Sequence, residues 1–95
     1  MTDDERLEIL KKDLQMLTNS NDNYLSILLN QAEAQIQREG VDLSAGIEGD
    51  MVVIQYAAYL FRKRAGGETA MPRFLRLQLN NMKVSQARRG EKNDL

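Results

Sequence analysis

MVVIQYAAYLF, residues 51–61, decides the fold, because Gln55 is its one polar residue. A strand is a competing reading of the first four positions, since Val52, Val53 and Ile54 are β-branched. The stretch continues through Arg62-Lys63-Arg64, and its total length favours a helix. A helix that is apolar around most of its circumference must be buried on most sides. The reading therefore places this helix at the centre of the domain, with Leu60 as a core residue. Asp50 is expected to cap or open it, and the three basic residues suit its C-terminal end, where the helix dipole favours cations.

Working upstream, VDLSAGIEG, residues 41–49, has two glycines, Gly46 and Gly49, and no helical period, and reads as a loop with a short extended piece at Val41–Leu43. Before it, Leu25, Leu28, Leu29, Ala32 and Ile36 share one face of a helix ending near Glu39. Gly40 suits the left-handed position just past that end. Ser20, Asn21 and Asp22 are candidate caps for its start. Thr2 and Glu5 have capping-box spacing. Leu7, Leu10, Leu14 and Leu17 follow at helical intervals, which predicts a first helix over 3–17. Downstream, Ala65-Gly66-Gly67-Glu68-Thr69 is a break. Pro72 fits the first turn of a fourth helix carrying Leu75, Leu79 and Met82. From Ser85 on, apolar anchors stop. The expected organisation is an all-α bundle of about four helices over 1–84, with a flexible polar tail over 85–95.

A chain of 95 residues holds one domain with a small core, and 42% hydrophobic residues suffice to build it. It contains neither Cys nor His. Disulfides are therefore impossible, the usual ligands for zinc, copper, haem and iron–sulfur clusters are missing, and so are the common nucleophile–base pairs. No stretch resembles an EF-hand loop. Gly66-Gly67 lacks the Gly-Lys-Ser/Thr of a P-loop. No catalytic, cofactor or metal residue is expected, and the chain reads as a non-enzyme. The acidic start MTDDERLEIL does not read as a signal peptide, and the longest apolar run is too short to span a bilayer.

Charge is divided unevenly. Residues 1–50 carry eleven acids and four bases, a balance of −7, and residues 51–95 carry three acids and nine bases, a balance of +6. Solvated helix faces account for such a split, and so do surfaces that meet an oppositely charged partner. On the second reading the basic candidates are Arg62, Arg64, Arg73, Arg76, Arg88 and Arg89. The acidic candidates are Asp3, Asp4, Glu8 and Asp13, and Arg62 and Arg64 of one copy are expected near the acids of the next. Tyr56, Tyr59 and Phe61 sit beside the basic cluster but have the spacing of core residues. A helix-turn-helix reader of DNA fits less well, because the loop between the second and third helices is long and the third helix is too apolar to lie in a groove.

The chain resembles the small head–tail connector (head-completion or adaptor) proteins of tailed bacteriophages. The resemblance runs over about residues 7–84. It rests on LEILKKDLQM, a polar break, Asp22-Asn23-Tyr24-Leu25, LLNQAEAQIQREG, and VVIQYAAYLFRKR with its Tyr56-x-x-x-Leu60-x-x-x-Arg64 element. Met71-Pro72 then opens a helix with Leu75, Leu79 and Met82. The order of these soft motifs is more specific than any one of them. The resemblance implies a helical protomer of a ring of about a dozen copies, monomeric or not in isolation. That ring docks beneath the portal protein, lines a channel for passing DNA without reading its sequence, and receives the next neck or tail protein. It also implies residence at the head–tail junction of the virion, after assembly in the bacterial cytoplasm, with no membrane contact. Family members often hold the portal with their C-terminal segment, for which this chain offers only Ser85–Leu95. A small basic-faced DNA-binding or packaging-regulatory protein is the alternative.

Overall fold

The computed structural model describes residues 1–44, 46–67 and 70–93, with side chains described as far as Arg88. Four helices follow one another: α1 (Asp3–Asp13), α2 (Asp22–Arg38), α3 (Ile47–Arg64) and α4 (Arg73–Asn93). Among the described residues there is no strand. The bundle is all-α, as expected. The extended piece expected at Val41–Leu43 is irregular loop, and the β-branched residues 52–54 are helical.

α3 packs against each of the other three helices, and α1 and α2 also pack together. Its buried residues Val52, Val53, Ile54, Tyr56, Ala57, Ala58 and Tyr59 occupy most of its circumference. Leu10 of α1, Leu25, Leu28, Ala32 and Ile36 of α2, and Leu75 and Leu79 of α4 close around it, each fully buried. Leu60 is only half-buried at the edge of this cluster, so the sequence reading of Leu60 as a central core residue is corrected.

The helix ends explain where the chain turns. At the start of α1 the Thr2 backbone N–H donates to the Glu5 carboxylate at 3.0 Å, and the Glu5 N–H donates to the Thr2 hydroxyl at 3.2 Å. The bonds that the Glu5 carboxylate accepts from the Thr2 backbone N–H and, also at 3.0 Å, from the Thr2 hydroxyl hold its carboxyl below the ordinary range. At the other end, α2 and α3 finish with a glycine in the left-handed conformation, Gly40 at φ 94° and Gly66 at φ 87°. Each is followed by a backbone N–H that reaches back to the last turn, Val41 to Ile36 at 3.4 Å and Gly67 to Arg62 at 3.0 Å. α1 ends the same way, with the Met16 N–H donating to the Lys11 carbonyl at 2.9 Å, but its left-handed residue is Gln15 at φ 58°. The helix therefore stops at Asp13, four residues before the expected end, and Leu17 is 98% exposed instead of continuing the apolar stripe.

α3 begins three residues earlier than its expected cap. Asp50 is not a cap but lies within the first turns of α3, buried, where its carboxylate accepts from Arg6 Nε of α1 at 2.9 Å. Gly49 beside it lies against the preceding loop, and a Cβ there would fall 2.8 Å from the Leu43 carbonyl oxygen. At the other side of the bundle α4 runs on to Asn93, through the segment read as tail from Ser85. Gln, Ala, Arg, Glu and Lys at 86–92 favour a helix and Gly90 alone does not, so the loss of apolar anchors ends the core contact without ending the helix. Gln86 returns to the body, accepting from the Asp42 N–H and donating to the Asp42 carbonyl, both at 2.8 Å.

Candidate partner interface

Two charged clusters bind the helices to one another and thereby remove several charges from the surface available to a partner. In the first, Arg6 bridges Asp50 of α3 and Glu33 of α2, the latter at 3.2 Å. The Arg6 hydrogen bonds hold the Asp50 carboxyl below its ordinary range, against the opposing effect of burial. In the second, Glu39 at the end of α2 accepts from Arg76 at 2.7 Å and Lys83 at 2.9 Å, two bases two turns apart on α4. The Arg76 hydrogen bond, with help from Lys83, pulls the Glu39 carboxyl down to about 2. Lys11, also buried, reaches Asn19 at 2.6 Å and Asp22 at 3.0 Å and so ties the end of α1 to the start of α2.

The candidate residues divide accordingly. Arg62 and Asp13, expected on opposite sides of a contact between copies, lie 3.4 Å apart within one chain. Arg64 donates to Gln31 at 2.9 Å and lies over the Tyr24 ring, 6.0 Å from its centroid. Arg76 is held by Glu39. Each of these three bases has a partner across the bundle, with the Arg62–Asp13 pair at the surface and the partners of Arg64 uncharged. Asp3, Asp4 and Glu8 are exposed on α1, Arg73 and Arg88 are exposed on α4, and none of the five has an ion-pair partner among the described residues. The Arg89 side chain lies outside the described residues. Asp4, Glu5, Glu8 and Ile9 surround one shallow depression. Asp3 lines another of about 110 Å³ with Arg6, Ser26, Leu29 and Asn30.

The sequence reading missed a second apolar face on α4. Leu75, Leu79 and Met82 point to the core, but Phe74, Leu77 and Val84 are 60%, 50% and 51% exposed. With Asn81 and Arg88 they repeat at intervals of three and four, so they form one stripe on the side opposite the core residues. The signal was present as apolar residues left over once the 75–79–82 face is assigned. Among the described residues no group of three His, Cys, Asp or Glu side chains could hold a metal. No described helix is long and apolar enough to cross a membrane.

The stretches that carry the family resemblance also meet. Tyr24, from Asp22-Asn23-Tyr24-Leu25, lies against Phe61 with ring centroids 6.2 Å apart and accepts a hydrogen bond from Arg64 at 3.5 Å. These motifs act in packing α2 on α3. Comparison with known proteins finds no family model, no curated protein and no solved structure that matches the chain.

Proposed function

We propose that this chain is a structural subunit of a phage head–tail connector, a ring that docks under the portal, surrounds the passing DNA and receives the next neck or tail protein. The observation that supports this most is the resemblance over residues 7–84, whose two most distinctive elements come into contact through Tyr24, Phe61 and Arg64. An interaction role is also consistent with a bundle whose exposed α1 residues are acidic apart from Lys12 and whose α4 is basic from Arg73 to Arg88. Opposite charge on different helices suits contact of unlike surfaces, the kind that closes into rings when the rotation permits. DNA in the channel would be met without sequence preference, and the site of action is the virion's head–tail junction.

The test is electron microscopy of the purified chain, alone at high concentration and mixed with portal-bearing heads from the phage that encodes it. Rings with an open centre, or a new layer of density beneath the portal, are expected. A chain that ignores such heads but binds random duplex DNA, with affinity falling steeply as salt rises, would instead be a DNA-binding protein.

A further inference from the structure

We propose that the outward stripe of α4 seats on the acidic outer face of α1 of a second copy, so that each subunit presents one donor and one acceptor surface. This rests on the connector reading and specifies its subunit contact. The donor is Phe74, Leu77 and Val84, spanning about 15 Å of helix and framed by Arg73 and Arg88. Three large side chains at least half exposed along one line make an apolar strip that water covers only in the lone protomer.

Charge selects the occupant. From Arg73 to Arg88 the helix has four bases and no acid. Laid antiparallel on its own copy, α4 would bring Arg73 toward Arg88, and laid parallel it would bring Arg onto Arg. Either arrangement sets like charges together, which opposes pairing. The acceptor must therefore be acidic with some apolar surface. The depression among Asp4, Glu5, Glu8 and Ile9 has both, and the Asp4 and Glu8 carboxylates have no partner among the described residues. The α3 end is a poorer donor, because Arg62 and Arg64 are already engaged with Asp13 and with Gln31 and Tyr24. Donor and acceptor are different surfaces, so the contact propagates from copy to copy and needs no two-fold axis.

The experiment compares three full-length proteins by sedimentation velocity across a concentration series: the natural chain, Leu77→Asp, and Asp4→Lys with Glu8→Lys. Melting temperatures check that the variants, all at exposed positions, remain folded. The natural chain should associate as concentration rises, and each variant should associate at least about tenfold more weakly. An equal mixture of the two variants contains one intact pair of surfaces and should stop at dimers. Should the natural chain associate only on portal-bearing heads, the same comparison is read as copies bound per head, where the mixture should add two copies per site at most. Association of Leu77→Asp at the natural strength would overturn the stripe and leave the ring standing. Undiminished association of the α1 double variant would overturn the acceptor. A natural chain that associates neither in solution nor on heads would sink both this contact and the connector reading.

Discussion

α3 and α4 each carry apolar residues on more than one face, and the protein uses them in opposite ways. α3 is surrounded, with buried residues at seven consecutive-to-near positions from Val52 to Tyr59 except Gln55. α4 is held along one side by Leu75, Leu79 and Met82 and leaves Phe74, Leu77 and Val84 in solvent. An apolar side chain thus marks the core only when other helices are available to cover it. α3 has three neighbours and α4 packs mainly on one, so the surplus apolar surface of the bundle collects on the last helix.

The strongest way to break this contrast is to truncate one residue from each helix. Ile54→Ala should cost about 2–5 kcal/mol, because it opens a cavity among fully buried neighbours. Denaturant melts that show a loss below about 1 kcal/mol would mean that α3 is not enclosed.

The polar ties of the two helices should differ less. Asp50→Asn withdraws a buried charge from the partly buried Arg6, and thermal melts should register a loss of about 2 kcal/mol. If Asp50→Asn is as stable as the natural chain, the Arg6 bridge does not fasten α3 to α1. The corresponding tie of α4 has a signature in pH. Glu39 titrates near 2 when folded, below the ordinary 4.5, so its contribution is complete above pH 4.5 and is lost as pH falls toward 2. Its partners Arg76 and Lys83 are 39% and 34% exposed, so solvent screens the pair and about 1 kcal/mol is expected. Glu39→Gln should remove that much at neutral pH and flatten the decline between pH 4.5 and 2. An acid limb identical to that of the natural chain would assign the decline to other carboxylates.

The smallest effect sharpens the comparison most. Leu77→Ser should change stability by no more than about 0.5 kcal/mol, since it is a surface substitution in the lone protomer. A loss near that of Ile54→Ala would show that the outer face of α4 is covered within the chain.

Much of this architecture was legible because it depends on local rules. The capping pair Thr2 and Glu5, Gly40 after α2, and the apolar run of α3 each announce themselves by residue type and spacing. Other features depend on what comes together in space. Nothing local marks Gln15 as the residue that turns left-handed, since that conformation usually falls to glycine, and so the end of α1 was read too late. Asp50 has the look of a cap from its neighbours alone, and only the approach of Arg6, forty-four positions away, makes it a buried ion. The charge split between the two halves of the chain suggested contacts between copies, yet Arg62 with Asp13 and Arg76 with Glu39 spend part of it inside one protomer. Of the ten residues proposed for a partner surface, Asp3, Asp4, Glu8, Arg64, Arg73 and Arg88 are left exposed without an ion-pair partner among the described residues. The apolar stripe that Arg73 and Arg88 flank could be found in the sequence only by asking which apolar residues the core had not used.

Gly49 has a consequence for how this protein can diverge. The carbonyl of Leu43 occupies the space where any side chain would begin, and backbone cannot step aside as the tip of a long side chain can. Natural variation should therefore leave this position as glycine even in relatives that contact different neighbours and have exchanged every residue of the α4 stripe. An alignment would show it as one of the least variable columns, far from any partner. Its invariance would record a steric limit on the route of the loop and should not be taken as the mark of a binding site.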